Sequence, residues 1–221
     1  ESLLPVLPEV LARIKNLFDL YCEPEAVYET LQVMNTLQPG LCVLGTRLPG
    51  CFNVFEMSVR AVLGQQITVK AASTLAARLV SAYGTQVQTG IGGLTHSFPA
   101  PAAILALGEN ISGHLGKLGI ISARANTIYQ LARVLADEKN DFGFCGNPEE
   151  EMQKLQSIRG IGSWTAQYIA MRAMGWPDAF LPTDAGIKKA LPDHTPKELQ
   201  ALSEAWRPWR SYATVNLWNT L

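Results

Sequence analysis

The chain has 221 residues, 48% of them hydrophobic and 17% charged, with 18 Lys and Arg against 19 Asp and Glu for a formal net charge of −1. Such a chain can bury a sizeable core, as one large domain or two small packed lobes, which excludes a disordered polymer. The near-neutral balance excludes a strongly basic nucleic-acid footprint, so any contact with DNA has to rest on local features.

Helical periodicity recurs along the sequence and period-two alternation is scarce, which predicts an all-α fold of two lobes with a cleft between them. Residues 8–20 form the first expected helix, with Val10, Leu11, Ile14, Leu17 and Phe18 on one face, and residues 24–37 the second. Residues 39–51 hold three glycines and two prolines and read as an ordered loop. A helix over 52–63 carries Glu56 and Arg60 in the favourable acid-first order at i,i+4. The next, over 68–83, puts Val69, Ala72, Ala76, Leu79 and Val80 on one stripe, with Gly84 as its C-terminal cap. Residues 85–101 read as loop, 122–137 as helix and 141–146 as loop. Asn147 and Pro148 then open a further helix as cap and first-turn proline, with Glu149, Glu150 and Glu151 at the positive end of its dipole.

Apolar stretches are broken by Arg, Glu or Gln well short of membrane-spanning length, and no basic-then-apolar signal segment opens the chain. Glu1 in place of Met suggests a piece of a longer protein. Cys22, Cys42, Cys51 and Cys145 show neither a CxxC pair nor a Cys/His metal spacing and read as free thiols in a reducing compartment.

The most informative segment covers residues 155–168. A helix ends near Ser157, a tight turn contains Gly160 and Gly162, and a second helix starts at about Ser163. Glycine there permits positive φ and leaves no Cβ in the way of a ligand. The amides of Gly162 and its neighbours lie at a helix N-terminus, where donors lack partners and the dipole is positive, a geometry that binds phosphate without a basic side chain. The same pattern also fits a capped turn in an ordinary bundle. Ile158 and Ile161 are expected to pack beneath the turn. Trp164 and Tyr168, at i,i+4, share a helix face, as core or as pocket. That helix stops at Gly175 and Pro177. Pro182-Thr183-Asp184 then looks like another helix start, which makes Asp184 an N-cap and also leaves it available as a catalytic carboxylate.

The hairpin, followed at this spacing by Leu181-Pro182-Thr183-Asp184, resembles the helix–hairpin–helix base-excision glycosylase superfamily. Arg47-Leu48-Pro49-Gly50-Cys51, the run Arg60-Ala61-Val62-Leu63-Gly64-Gln65-Gln66, and Trp206-Arg207-Pro208-Trp209-Arg210-Ser211-Tyr212-Ala213 are similar to its bacterial 3-methyladenine DNA glycosylase II branch. The resemblance spans nearly the whole chain, 1–221. It implies a two-lobed helical fold acting on duplex DNA with alkylated bases, an extruded nucleotide, Asp184 as the catalytic carboxylate, and Trp164, Tyr168 and Trp218 as an aromatic base pocket. It further implies that the amides of Gly160 and Gly162, with Ser163, face a phosphate. The backbone carbonyls of Gln156, Ile158 and Ile161 match positions that hold a monovalent cation, Na+ or K+, and no other cofactor is expected.

The superfamily's lyase members carry a lysine where this chain has Trp164, and the endonuclease III branch carries a four-cysteine cluster with no counterpart here, so a monofunctional enzyme is expected. The family's small N-terminal β domain is expected to be missing. The family's duplex wedge falls near Gln66, here polar, which means a different plug or an ordinary surface Gln. Ala185 and Gly186 stand where bulkier residues are common, which would widen the pocket. His96, His114 and His194 fall in loop-like settings without a catalytic role, and Arg210 reads as a surface arginine or as the partner of a carboxylate. The chain is expected to act as a monomer on DNA in a bacterial cytoplasm, without a membrane, and with a shallow salt dependence from few phosphate contacts. Three rival readings remain at this level: a non-catalytic hairpin module, a glycosylase for oxidised or mismatched bases, and a helical interaction bundle.

Overall fold

The computed structural model describes residues 3–136 and 147–221. Glu1, the expected loop over 141–146 and Cys145 lie outside the described residues. Among those described there are twelve α-helices and no β-strand, only one antiparallel bridge between Gln86 and His96. No helix there is long and apolar enough to cross a membrane. The chain divides into two compact units, one formed by residues 1–52 and 167–221 and the other by 53–166.

The unit of residues 53–166 is built around α7 (Ser122–Leu135), which packs against α3 (Val54–Leu63), α5 (Pro101–Leu105) and α6 (Ile111–Gly116). Its core includes Val59, Val62, Leu63, Ile104, Leu115, Ile128 and Leu131, all fully buried, each contributing roughly 1.5–3 kcal/mol by burial. Asn53 caps α3 by accepting the Glu56 amide at 2.8 Å, and Thr68 caps α4 (Val69–Tyr83) through the Ala71 amide. Arg60 and Glu56 pair at 2.7 Å as their spacing predicts. Val69 departs from its expected place: as the first residue of α4 it is 84% exposed, because the stripe of Ala72, Ala76, Leu79 and Val80 turns inward only from the second turn. Gly84 does end α4, but in extended backbone. A Cβ there would run into the carbonyl oxygens of Ser97 and Val80, so close approach and not a left-handed turn requires glycine.

In the other unit α1 spans Leu7–Leu17, α2 spans Pro24–Leu31 and a 3-10 turn follows over Gln32–Thr36. Leu11 and Phe18 stay 47% and 59% exposed, so the expected apolar face of α1 is only partly covered. The loop over 39–51 is ordered by side chains that satisfy its backbone. Asp19 Oδ2 accepts from the Leu48 amide at 2.8 Å and the Tyr212 hydroxyl at 2.9 Å. Arg47 donates to the carbonyls of Asp19 and Cys22. Asn216 Oδ1 accepts from the Val43 amide and the Thr46 hydroxyl.

Four helices were invisible to periodicity. α5 and α6 are five and six residues long, too short to display a stripe, and α6 contains His114, which is therefore helical rather than in a loop. α11 (Pro196–Leu202) follows a capping box made by Thr195 and Glu198. α12 (Arg210–Trp218) is buried from Arg210 through Leu217, so it shows no polar face. Arg210 is thus no surface arginine. Only 7% of its side chain is exposed, and it grips Asp178 through Nε to Oδ1 at 2.6 Å and Nη2 to Oδ2 at 2.9 Å.

Candidate active site

α8 (Pro148–Ser157) ends where the sequence says it should, and α9 (Ser163–Ala173) begins three residues after Gly160. Gly160 turns the chain with φ +97°. A Cβ at that position would overlap Thr127 Oγ1, so both the backbone angle and the neighbour require glycine. Gly162 needs glycine for neither reason: a Cβ there would meet nothing within 4 Å. Its absence leaves open space over the start of α9, where the Gly162 carbonyl accepts from the Ala166 amide at 3.0 Å. Gly160, Gly162 and Ser163 are all exposed, while Ile158 and Ile161 are buried beneath them.

Thr127 and Gln65, to which the sequence assigned no role, brace this hairpin, and Arg124 holds Gln65 in place. Thr127 on α7 donates to the Arg159 carbonyl at 2.9 Å. Gln65, in the turn after α3, donates through Nε2 to the Gly160 carbonyl and to Thr165 Oγ1, both at 2.9 Å. Arg124 in turn bonds the Gln65 carbonyl. Gln66 lies in that same turn, exposed and with φ +55°. Gln156 sits in the last turn of α8, where carbonyls lack an i+4 partner, and the Ile158 carbonyl accepts from the Ile161 amide at 3.0 Å.

α9 runs from the second unit into the first, carrying half-buried Trp164 on its first turn and half-buried Tyr168 one turn later. Within the first unit the structure brings Tyr168, Asp184 and Trp218 together. Asp184 is the N-cap of α10 (Ala185–Ala190). Its Oδ1 accepts from the amides of Gly186 at 2.8 Å and Ile187 at 3.1 Å, and from the indole Nε1 of Trp218, at the end of α12, at 2.8 Å. The Trp218 ring lies 6.3 Å from that of Tyr168, tilted by 54°. The result is a half-buried carboxylate fixed from two helices beside two aromatic rings, suited to opposing positive charge on a flat cationic group. The expected widening at Gly186 does not arise. The space that a Cβ would take is filled by the Trp218 edge, whose Cδ1 would stand 2.7 Å from it.

Residues 59–209 match the sequence pattern of the HhH-GPD superfamily of base excision DNA repair proteins. The chain belongs to this family. Residues 1–53 match the AlkA N-terminal domain, and those described there form helices and turns without a strand. This HhH-GPD chain is 38% identical over 216 residues to DNA-3-methyladenine glycosylase 2 of Escherichia coli, covering 98% of itself and 73% of that protein. It is 42% identical to a probable bifunctional transcriptional activator/DNA repair enzyme AlkA of Mycobacterium tuberculosis, covering 95% of itself but only 42% of that relative. Among solved HhH-GPD-like structures, the 3-methyladenine DNA glycosylase of Archaeoglobus fulgidus shares the fold with a TM-score of 0.75 at 23% identity, over 95% of this chain and 73% of that one. An 8-oxoguanine glycosylase/lyase of Clostridium acetobutylicum with duplex DNA does so with a TM-score of 0.76 at 18% identity, over 93% and 72%.

Proposed function

We propose that the chain is a monofunctional glycosylase that hydrolyses the N-glycosidic bond of alkylated bases, of the 3-methyladenine type, in duplex DNA. The observation that carries this reading is the Asp184 carboxylate, held by two amides and an indole N–H beside the rings of Trp218 and Tyr168.

Extruding a base from the duplex costs a few kcal/mol, and stacking on aromatic rings returns part of it. An alkylated purine of this type is cationic, which adds roughly 0.5–2 kcal/mol of cation–π attraction to Trp164, Tyr168 or Trp218. When the C1′–N bond breaks, the bonding pair leaves with the base, which becomes neutral and needs little help from a general acid. The sugar is left with oxocarbenium character, which Asp184 opposes electrostatically. Water adds at C1′ and releases a proton. Trp164 offers no amine for a Schiff base, which supports hydrolysis without a lyase step.

The exposed start of α9 at Gly162 and Ser163, with Gly160, supports a role in holding a backbone phosphate. The carbonyls of Gln156, Ile158 and Ile161 are hard oxygen donors of the kind an alkali cation takes. Na+ or K+ held there would add positive charge near that phosphate, and no other cofactor is called for. Gln66, exposed in a left-handed turn, is the residue this reading puts against the duplex. The protein would act as a monomer on DNA in a bacterial cytoplasm.

Single-turnover release of 3-methyladenine from methylated duplex DNA tests the reading. The wild type is expected to release base, and Asp184→Asn, which still caps α10, to lose release while binding duplex. Binding without release by both proteins would leave only a non-catalytic hairpin module.

A further inference from the structure

We infer that Trp218 and Gly186 are positioning residues for the Asp184 carboxylate: the indole N–H clamps Oδ1, and glycine at 186 is what admits the indole. The inference rests on the glycosylase reading of Asp184 and goes beyond it.

The two amide bonds to Oδ1 come from α10 itself, and any aspartate at an N-cap makes bonds of that kind. They tie one oxygen to its own helix start. The third bond is different. It comes from Trp218, 34 residues further along the chain and on α12, at 2.8 Å. A donor from a second helix restrains Oδ1 from a direction that the helix start alone does not supply. Hydrogen bonds to an ionised acceptor are about twice as strong as neutral ones.

Gly186 has no local reason to be glycine. It is the second residue of α10 and is not among the residues with positive φ. In a helix glycine is less favourable than every residue except proline. The reason lies across the gap. A Cβ at 186 would stand 2.7 Å from Trp218 Cδ1, 2.9 Å from Nε1 and 3.0 Å from Asp184 Oδ1. Real Cβ contacts essentially never fall below 3.0 Å, as the two to the indole would, so a side chain at 186 and this indole position exclude each other. α10 and α12 pack together and Trp218 is half-buried between them and Tyr168, so the ring cannot retreat without giving up the bond. Trp218 therefore spends its polar edge on the carboxylate, and its orientation is set before a base arrives.

Two readouts test the clamp. In the first, the Trp218 indole proton is assigned by NMR through its loss in Trp218→Phe. Its solvent exchange is expected to quicken at least about 10-fold in both Asp184→Ala and Gly186→Ala, as for any hydrogen bond opened locally. In the second, single-turnover release from methylated duplex is compared with the Kd for a duplex bearing a tetrahydrofuran site. Trp218→Phe keeps an aromatic ring but loses the donor, and Gly186→Ala displaces the indole. Each is expected to slow release by about 10- to 100-fold, the worth of one charge-assisted bond, with Kd changed less than about 3-fold. Exchange that ignores Asp184 and Gly186 overturns the clamp. So does Trp218→Phe releasing base within about 3-fold of wild type, which would leave stacking as the ring's whole contribution. If the wild type releases no base while the indole proton still depends on Asp184 and Gly186, the clamp is upheld and the glycosylase reading is what fails.

Discussion

Thr127 occupies the place that a side chain at Gly160 would need. Its Oγ1 has one proton to share between the Arg159 carbonyl at 2.9 Å and the Ala123 carbonyl at 3.0 Å, so a buried hydroxyl of α7 is built into the hairpin's turn. Gln65 holds the same turn from another side through the Gly160 carbonyl at 2.9 Å. The exposed amides at the start of α9 are thus presented by a turn whose shape is set on both flanks, which is what phosphate binding through the backbone demands.

Gly160→Ala should therefore fail twice, through the φ of +97° and through overlap with Thr127. A strained backbone plus an overpacked contact costs about 2–4 kcal/mol. At about 2–4 °C per kcal/mol for a chain of this size, the melting temperature should fall by several degrees, and duplex DNA should bind more weakly. Adding Thr127→Ala removes the overlap but not the backbone strain, so it should restore only part of the loss. Melting curves and duplex titrations of the three variants decide this, and wild-type binding by Gly160→Ala would show that the hairpin's shape is not what holds DNA.

The hairpin was legible because its determinants are local: two glycines a residue apart, apolar residues flanking them, and a helix start immediately after. Asp184 was legible as an N-cap for the same reason. What joins Asp184 to Trp218 was not, since the bond depends on two helices meeting 34 residues apart and on the empty side of Gly186. Read along the chain, that glycine suggested extra room; in space it is filled. Thr127 carries no motif, and Gln65 stands in the 60–66 run without a role of its own; what each does emerges only from its contacts with the hairpin. Arg210 stayed between its two readings, surface residue or partner of a carboxylate, for the opposite reason. A charged residue between Trp209 and Ser211 reads as surface, and only the folded chain supplies the Asp178 carboxylate that lets it be buried.

That ion pair makes a sharp stability prediction. Asp178 accepts from Arg210 through both oxygens and also from Arg207, and Arg210 has Glu204 at 3.4 Å as a further, looser partner. Asp178→Asn would strand a buried guanidinium, a loss of about 3–5 kcal/mol, reduced by whatever Glu204 recovers. The melting temperature should drop by about 6–20 °C at 2–4 °C per kcal/mol. Replacing both partners, as Asp178→Asn with Arg210→Met, should be milder than the single change, because no charge is then left buried alone. A single variant that melts within about 2 °C of wild type would show that the pair is energetically idle.

Alkaline stability should be governed by the other buried polar cluster. Burial pushes the Tyr212 phenol well above its ordinary value of 10.0, with the neighbouring Cys22 and Asp19 adding to the shift, and burial likewise pushes the Cys22 thiol above its ordinary 9.0. Both groups are protonated in the folded and unfolded chain at neutral pH, so their contribution is fully present there. As pH rises past those ordinary values the unfolded chain ionises while the folded one does not, and stability is lost. Each such group steepens the decline by about 1.4 kcal/mol per pH unit. Tyr212→Phe should be less stable than wild type at pH 7, by about 1–2 kcal/mol for the hydrogen bond that Asp19 Oδ2 loses. It should also decline less steeply above about pH 10, where the wild type carries the tyrosine's share of the slope. Urea unfolding of both proteins from pH 7 to 11 measures this directly: the two stability curves should approach one another as pH rises. Curves that stay parallel would mean that the buried phenol ionises as readily in the folded protein as in the unfolded chain.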